Sequence, residues 1–390
     1  MEELMRVLHF LPVYVPAWQF GGPILSVSRL CEGLVQDGVE VRVITTNAGL
    51  PDFPRDQLGI PQCVNGVQVT YYPVDHEGGT IRSRALVEAL PYYMVWADIL
   101  HLSSIWQPLG LAVQRAAHAS GVPVIQTLRG ALGPYSWQRH WWKKVPYFWL
   151  KERPLLQRAA ALHCTTDQEA REIAWLGLRA PIKLLPNPME LSHLQCSPDT
   201  GLEWRKRMGI PHADPMLLVA GRLHHKKGLD FLPKVLKGIS NRPWQMIFIG
   251  KDEDGTGRRL KEALRRVGVG DRCHWLDQLP AEELSGPYNA ADCLLLPSRH
   301  ENFGNVVVEA LACGCAVLIS DRVGVADAVR SCPGVVVSPR STARWISDLE
   351  RILSSQRPGL LSGEWVMNSY SKQLVARQAV SIYNSVVGYA

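Results

Sequence analysis

No apolar run in this chain of 390 residues is long enough to cross a membrane as a helix. The longest apolar stretches, such as residues 86–100, are interrupted by Glu88, Pro91 and Asp98. The amino terminus has neither the basic leader nor the small-residue cleavage site of an export signal. We therefore expect a cytoplasmic protein, and any contact with the inner face of a membrane should be peripheral.

Low-complexity tracts, short repeats and long charge runs are also absent, so we expect irregular structure mainly in loops such as residues 52–61 and 197–201. The nine cysteines are odd in number and irregularly spaced, which indicates reduced thiols rather than a disulfide framework. Cys313 and Cys315 lack the second ligand pair of a zinc site. We interpret them as packing residues beside a glycine-rich turn.

Strand-like and helix-like segments alternate along both halves of the chain, which is typical of two doubly wound α/β units. The predicted strands are residues 7–11, 39–45, 67–72, 99–102, 122–127, 161–165 and 182–185, then 216–220, 245–249, 273–276, 293–296, 317–320 and 335–337. Pro186 and Pro188 stop regular structure and predict a linker, which gives domains of residues 1–188 and 189–367. Residues 368–387 are predicted to form one closing helix.

Two carboxylates, Glu301 and Glu309, are separated by seven residues across a predicted junction between a loop and a helix. Asn305 opens this helix directly after Gly304, and the free backbone N–H groups of a helix start suit a diphosphate. An ionised carboxylate only accepts hydrogen bonds, so one glutamate can hold a ribose and the other a transferred hexose. The alternative is that both are solvated surface acids.

A second candidate loop follows the predicted strand 216–220 and runs through Gly221, Arg222 and Lys227. Gly221 permits a tight turn, Arg222 offers a bidentate fork to phosphate oxygens, and Lys227 adds a point charge. Taken alone, such a basic cluster is also compatible with a solvated loop. Together with the two carboxylates it predicts a site for a nucleoside diphosphate sugar.

With these motifs the chain resembles the retaining glycosyltransferases of family 4, which have the GT-B fold. The resemblance is carried, in the expected order, by Gly21-Gly22-Pro23, by Gly221-Arg222 with Lys227-Gly228, by residues 301–310 and by residues 312–317. It implies two Rossmann-like domains that face a central cleft, with residues 368–390 crossing back onto the first domain. The chain departs from the common pattern at Asn302, where Gly is frequent, and at Ala316, where Pro is frequent. Because Asn tolerates a left-handed backbone, we expect the loop to persist and the sugar choice to change.

The resemblance also implies residue roles. Arg222 and Lys227 would bind the donor diphosphate and count as catalytic with Glu301, which would hold the transferred sugar, while Glu309 would hold the ribose. The implied donor-binding residues are Gly21, Gly22, Asn302, Phe303, Gly304, Asn305 and Glu309. In retaining members of the family the leaving phosphate is thought to take the acceptor proton, so the resemblance implies no protein base. Because Arg222 and Lys227 can carry the charge of the diphosphate, neither a metal nor another cofactor is expected.

Other residues invite a weaker interpretation. The pair Gly21-Gly22 either lets the first loop approach a ligand or makes an ordinary tight turn. His101 and Arg129 follow or end predicted strands and are candidates for the acceptor side of a cleft, although a histidine there is also a common structural group. The acidic segment 250–257 resembles a metal or phosphate loop, but it lacks the ending of a P-loop, and we interpret it as a solvated turn.

Aromatic and basic residues are interleaved between residues 137 and 158. Residues 129–158 hold seven Lys and Arg and one acidic residue, whereas residues 1–190 as a whole hold 17 basic and 16 acidic residues. This local charge with Trp and Tyr favours the surface of an anionic membrane, and thus a lipid-linked acceptor. Packing of the aromatics inside the first domain is the alternative, and nucleic acid is not expected because no recognised module accompanies the segment.

The sequence therefore predicts a metal-independent hexosyltransferase that uses a nucleoside diphosphate sugar and a glycan acceptor, in surface polysaccharide synthesis. One alternative is a sugar-nucleotide epimerase on the same scaffold, which needs a carboxylate pair as acid and base. The other is a catalytically silent glycan-binding or scaffold protein. The donor base, the sugar, the acceptor and the linkage stay open.

Overall fold

The computed structural model describes residues 4–75, 80–138, 140–355 and 357–388. The chain divides into two compact units, of which the first contains Met1–Pro188 with Lys372–Ala390 and the second Met189–Ser371. Arg139, within the predicted aromatic and basic segment, lies outside the described residues, as do residues 1–3 of the first predicted domain and residues 389–390 of the predicted crossing-back segment. Among the described residues, no helix combines the length and apolar character of a membrane span.

The first unit contains an eight-stranded sheet in the order β3-β4-β2-β1-β5-β6-β7-β8. All neighbouring strands are parallel except β3 and β4, which are antiparallel. The strands are β1 Arg6–Val13, β2 Glu40–Thr46, β3 Pro61–Val64, β4 Val67–Tyr72, β5 Ile99–Leu102, β6 Val124–Thr127, β7 Ala161–Cys164 and β8 Ile182–Leu184. Side chains of β1 are buried on both faces of the sheet, as expected for a parallel sheet covered by helices.

Helices cover both faces of this sheet. They are α1 Gly22–Gln36, α2 Arg84–Trp96, α3 Pro108–Ala119, α4 Pro134–Gln138, α5 Trp141–Tyr147, α6 Arg153–Leu156 and α7 Asp167–Ile173, with α16 Lys372–Val387 from the end of the chain. A π-helical turn, Phe148–Glu152, joins α5 to α6. Helix α16 packs on α1, where a Cβ at Gly33 would lie 3.0 Å from the Cβ of Ala376, so glycine permits the close approach.

The second unit contains a six-stranded parallel sheet in the order β11-β10-β9-β12-β13-β14. Its strands are β9 Met216–Ala220, β10 Gln245–Ile249, β11 Cys273–Leu276, β12 Cys293–Leu296, β13 Ala316–Ser320 and β14 Val335–Ser338. Its helices are α8 Pro198–Arg207, α9 Leu232–Gly238, α10 Thr256–Arg266, α11 Ser285–Ala290, α12 Asn305–Ala312, α13 Ala326–Val329, α14 Thr342–Leu353 and α15 Leu360–Tyr370. The prediction of two doubly wound α/β units is confirmed.

Two local predictions were wrong, and one strand was missed. Residues 197–201 are not a loop, because the Ser197 hydroxyl accepts the N–H of Thr200 and Pro198 opens α8. The expected loop 52–61 is irregular up to residue 60, but the strand β3 that follows it and adds an antiparallel edge was not predicted. The closing segment is two helices, since Ser371 leaves helical geometry with φ −58° and ψ 144°, and the chain returns to the first unit at Lys372 rather than at residue 368.

Three buried histidines lie between the first sheet and α16. The Nδ1 atom of His101 is 2.7 Å from the hydroxyl of Tyr383, and its Nε2 atom is 2.8 Å from Thr127 Oγ1 and 3.1 Å from His163 Nδ1. His163 Nε2 is 2.8 Å from the carbonyl oxygen of Leu185. The His9 ring lies 4.8 Å from the His101 ring. This network attaches the last helix to the sheet, and burial favours the neutral form of its imidazoles.

We expect acid to destabilise the protein through these histidines. Burial lowers the pKa values of His9 and His163 from 6.5 to about 3, and it also lowers the pKa of His101 well below its ordinary value. Below pH 6.5 the unfolded chain therefore binds protons on these histidines that the folded chain does not bind. From pH 7 to pH 5 the free energy of unfolding should fall on the order of 2 kcal/mol per histidine, as measured by urea unfolding.

His9→Phe is the matched variant, because His9 Nε2 has no hydrogen-bond partner among the described residues. The substitution removes one titrating group without removing a bond from that atom. The loss of stability between pH 7 and pH 5 should become smaller by about one histidine's share. An unchanged loss in the variant would show that His9 does not contribute to the acid sensitivity.

Candidate functional site

The carboxyl ends of β9, β10, β12 and β13 meet at one edge of the second unit's sheet, where ligands of open α/β sheets bind. The loops after these strands include residues 221–228, 250–255, 297–304 and 321–325. Every residue that the sequence predicted for the donor in this half of the chain follows one of these strands, either in its loop or in α12. The motifs are thus brought together by the sheet.

Lys227 and Glu301 form an ion pair at this edge. Lys227 Nζ lies 2.6 Å from Glu301 Oε2, and their side chains are 18% and 23% exposed. The backbones of the two loops also touch, because the N–H of Arg299 donates to the carbonyl of Lys226 at 2.8 Å. At Gly228, with φ +63°, a Cβ would lie 2.3 Å from the carbonyl oxygen of Pro297. A cation and a carboxylate are therefore held side by side on two loops in contact.

The loop after β9 is tied to the acidic turn after β10. The N–H of Leu223 donates to Lys251 at 2.8 Å, and Arg222 Nη1 lies 2.9 Å from Glu253 Oε1. His225 Nδ1 is 2.8 Å from Asp254 Oδ2, and Asp254 also accepts the N–H of Thr256 at the start of α10. The acidic turn is exposed to solvent, as predicted, and its carboxylates also pair with the basic loop.

Asp254 with His224 and His225 could supply three ligand atoms within 4.8 Å of one another to a metal ion. However, His224 Nδ1 accepts the N–H of Lys226 at 3.2 Å. A metal on the other ring nitrogen would require a proton on Nδ1, which would then face this N–H. The group is better suited to attaching the two loops.

The loop from Glu301 to Gly304 is shaped by the loop after β13. The N–H of Glu301 donates to Arg322, and the N–H of Gly324 donates to Glu301 at 2.8 Å. A Cβ at Gly324 would lie 1.9 Å from the carbonyl oxygen of Asn302, so only glycine permits this approach. Sequence analysis missed Gly324, since a single glycine in a loop does not show which other loop packs against it.

Within this loop, two predictions need correction. Phe303 was predicted to bind the donor, but its side chain is 3% exposed and packs in the core against Tyr370. A ligand can meet Phe303 only through its backbone. Asn302 does not adopt the left-handed conformation; the left-handed residue is Gly304, with φ +103°, which precedes Asn305 at the start of α12.

Glu309 lies in the second turn of α12 and is partly exposed. The hydroxyl of Tyr288, on α11, donates to Glu309 Oε2 at 2.8 Å. Tyr288 is 1% exposed, so this bond is sealed from water on the tyrosine side. Sequence reasoning missed Tyr288, because a tyrosine in a short apolar helix is as well explained by packing.

In the first unit, Gly21 has φ +84° and ends a 3-10 turn, whereas Gly22 opens α1 with no atom within 4 Å of a Cβ. Glycine is therefore required at Gly21 by its backbone. His101 is buried with both ring nitrogens hydrogen-bonded, which fits the structural alternative. Arg129, at φ +48°, donates to Asn187 at 3.1 Å, and burial lowers its pKa to about 10, which leaves it cationic.

The aromatic and basic segment is split between core and surface. Trp137 stacks edge-on against Trp106 and Phe148 at 5.3 and 5.2 Å. Leu155 and Leu156 are also buried, whereas Trp141, Trp142, Trp149 and Leu150 face solvent and are exposed by 60%, 57%, 52% and 72%. Packing of the aromatics inside the first unit thus applies to part of this segment, and the membrane interpretation of its exposed part stays a prediction.

Both units of the chain match known protein families. Residues 21–188 match the family model described as "Glycosyl transferase 4-like domain", and residues 202–370 match "Glycosyl transferases group 1". The 2-deoxystreptamine glucosyltransferase of Streptomyces kanamyceticus is 26% identical over 93% of this chain and 99% of its own length. The two matched domains together span most of the chain.

Solved structures share the fold. Sucrose-phosphate synthase of Thermosynechococcus elongatus superposes with a TM-score of 0.74 over 99% of this chain and all of that chain, at 20% identity. Anabaena HepE, solved with UDP and glucose, has a TM-score of 0.74 over 98% of this chain and all of its own, at 16% identity. Because glycosyltransferase domain models match both halves of the chain, it belongs to the glycosyltransferases of the GT-B fold and of the family 4 type.

Proposed function

We propose that this glycosyltransferase moves a hexose from a nucleoside diphosphate sugar to a glycan acceptor, with retention of anomeric configuration and without a metal ion. The observation that carries the proposal is the ion pair of Lys227 with Glu301, 2.6 Å apart at the carboxyl edge of the second sheet. One member suits a phosphate and the other suits sugar hydroxyls. Similarity to a glucosyltransferase over nearly the whole chain supports the same class of donor.

The diphosphate would be neutralised by the loop after β9. Arg222 is 59% exposed on its side chain and is held at its Nη1 atom by Glu253, so its remaining N–H groups are available to phosphate oxygens. Lys227 would exchange part of its interaction with Glu301 for the phosphate that leaves. Charge that develops on the leaving group is then met by two fixed cations, which supplies transition-state stabilisation without a metal.

Retention is supported by the contacts of the nearby carboxylates. Glu253 is paired with Arg222, Glu301 with Lys227 and Glu309 with Tyr288. Each carboxylate near the predicted sugar is thus positioned to bind rather than to take a proton, which leaves the departing phosphate as the base on the same face. An inverted anomeric configuration in the product, observed by NMR, would contradict retention.

The same engagement argues against the two rivals. An epimerase needs one carboxyl group as acid and another as base at a sugar carbon. A silent scaffold has no need for a cation and a carboxylate placed side by side on loops that require Gly228 and Gly324 for their contact. Donor turnover separates the transferase from both.

A lipid-linked acceptor is proposed from the first unit. Trp141, Trp142 and Trp149 are more than half exposed, and Lys143 and Lys151 are exposed in the same segment. Indole rings favour the interface of a bilayer and ammonium groups pair with anionic headgroups. The protein would then reach acceptors at the membrane surface, in the assembly of a surface polysaccharide on the inner face of the membrane.

A small soluble acceptor is the second candidate. It is favoured by the relative from Streptomyces kanamyceticus, whose name gives 2-deoxystreptamine, a free aminocyclitol, as the acceptor. Such an acceptor needs no membrane surface. The exposed tryptophans would then have another role, and the vesicle experiment below decides between the two.

Donor binding should be detectable without knowledge of the acceptor. In EDTA, one member of a panel of UDP-, GDP-, ADP- and dTDP-sugars should raise the melting temperature, and this shift should disappear in Glu309→Ala. Differential scanning fluorimetry measures both. If binding or slow donor hydrolysis required added Mg²⁺ or Mn²⁺, metal independence would be wrong, and Asp254→Asn would test whether His224, His225 and Asp254 hold the ion.

Lys227→Ala should lower turnover about a hundredfold or more, because it removes a charge contact to the leaving diphosphate. Lys226→Ala is the matched control, since Lys226 is the neighbouring lysine in the same loop and its side chain is exposed. Initial rates of donor consumption measure both variants. Equal rates in Lys227→Ala and the native protein would remove the diphosphate role of Lys227.

Binding to vesicles should depend on the exposed tryptophans. The double variant Trp141→Ala with Trp142→Ala should bind vesicles of phosphatidylcholine with 30% phosphatidylglycerol several-fold more weakly than the native protein in a sedimentation assay. Trp18→Ala is the control, because Trp18 is exposed to a similar extent, 54%, outside the segment. Absence of binding by the native protein would favour the soluble acceptor.

A further inference from the structure

One buried tyrosine contacts a predicted donor-binding residue, Glu309, without being part of any predicted motif. Tyr288 belongs to the core of the second unit, with Leu284 packed against the same cluster. Its hydroxyl donates to Glu309 Oε2 at 2.8 Å. Among the described residues, no other hydrogen bond or ion pair to the Glu309 side chain is found, so the second oxygen, Oε1, is left for a ligand.

We propose that Tyr288 is a positioning residue that fixes Glu309 to read a ribose, so that the enzyme selects ribonucleoside diphosphate donors over 2′-deoxyribonucleoside ones. The inference rests on the proposed function, in which Glu309 binds the ribose of the donor. The inference adds to the proposed function the residue that orients the Glu309 carboxylate and the class of nucleotide that the enzyme prefers.

Toward Glu309 the tyrosine hydroxyl is the donor. Burial and the neighbouring carboxylate of Glu309 raise the pKa of Tyr288 well above its ordinary value, so the phenol keeps its proton at every physiological pH. With 1% of the residue exposed, water does not replace this bond. One carboxylate oxygen is therefore occupied permanently, and rotation of the carboxylate would break a charge-assisted hydrogen bond.

A carboxylate fixed in this way distinguishes a ribose from a deoxyribose. The free oxygen, Oε1, accepts from a ribose hydroxyl, and a 2′-deoxy sugar leaves it with one partner fewer in a partly desolvated place. Sites built to hydrogen-bond a hydroxyl reject analogues that lack it more strongly than apolar pockets reject an extra group. We therefore expect the native enzyme to bind a ribonucleoside diphosphate about tenfold or more tightly than its 2′-deoxy counterpart.

The experiment is a comparison of dissociation constants by isothermal titration calorimetry. UDP, GDP and ADP are tested first, and the one that binds most tightly is then compared with its own 2′-deoxy form. In Tyr288→Phe the ribonucleotide should bind roughly fivefold more weakly, while binding of the 2′-deoxy form should change little. The preference for the ribonucleotide should thus shrink, and kcat with the corresponding nucleotide sugar should change less than KM.

Tyr370→Phe is the matched control. Tyr370 is also buried in the second unit, at 4% exposure, and no hydrogen bond of its hydroxyl is found among the described residues. This variant should keep the native preference, and circular dichroism should show that both variants are folded. A loss of stability without a change in preference would indicate a purely structural role for Tyr288.

The outcomes separate the two proposals. If neither these three nucleoside diphosphates nor dTDP binds the native enzyme, the proposed function fails together with the inference. If dTDP alone binds, the inference is overturned and the proposed function stands. If one of the three binds and Tyr288→Phe keeps the full native preference for ribose, the positioning role of Tyr288 alone is overturned. A native enzyme that binds the 2′-deoxy form as tightly as the ribonucleotide would also overturn the inference.

Discussion

The ion pair between Lys227 and Glu301 joins the two loops that carry the candidate site at the carboxyl edge of the second sheet. It joins the loops after two neighbouring strands, β9 and β12, at a separation of 2.6 Å between Nζ and Oε2. The approach requires Gly228, because any side chain there would strike the carbonyl oxygen of Pro297. A charge on each loop is thereby kept near the place where a diphosphate and a hexose would meet, and each is compensated before a ligand arrives.

Around this pair, each side chain proposed to bind the donor is held by a neighbouring part of the fold. Glu253 holds Arg222, the loop after β13 shapes the backbone of Glu301, and Tyr288 holds Glu309. Each group that would bind a ligand is thus attached to a neighbouring loop or helix, so that little side-chain freedom is left to lose on binding. In the first unit, the buried His101 and Tyr383 attach the last helix to the sheet.

Much of the architecture could be predicted from periodicity. All the predicted strands are present, several with the same bounds, because buried parallel strands read as short apolar runs. Strand β3 was missed, since its four residues alternate only weakly in burial at the sheet's edge. The helix at Pro198 was assigned to a loop although Ser197 and Pro198 form a capped helix start, and the break at Ser371 has no Gly or Pro to mark it. For the site, the loops and the family could be predicted from their motifs, whereas the partners of each side chain could not.

The sequence by itself determined which residue types follow which strands: Arg222 and Lys227 after one, Glu301 after another, and Glu309 in the next helix. A parallel sheet places all of these at one edge, so their proximity was implied by the strand pattern. Only the tertiary structure decided that Lys227 pairs with Glu301, that Phe303 is turned into the core, and that Tyr288 donates to Glu309. The physical reason is distance along the chain: these contacts depend on how loops and helices from separate parts of the sequence pack, and no local pattern encodes that packing.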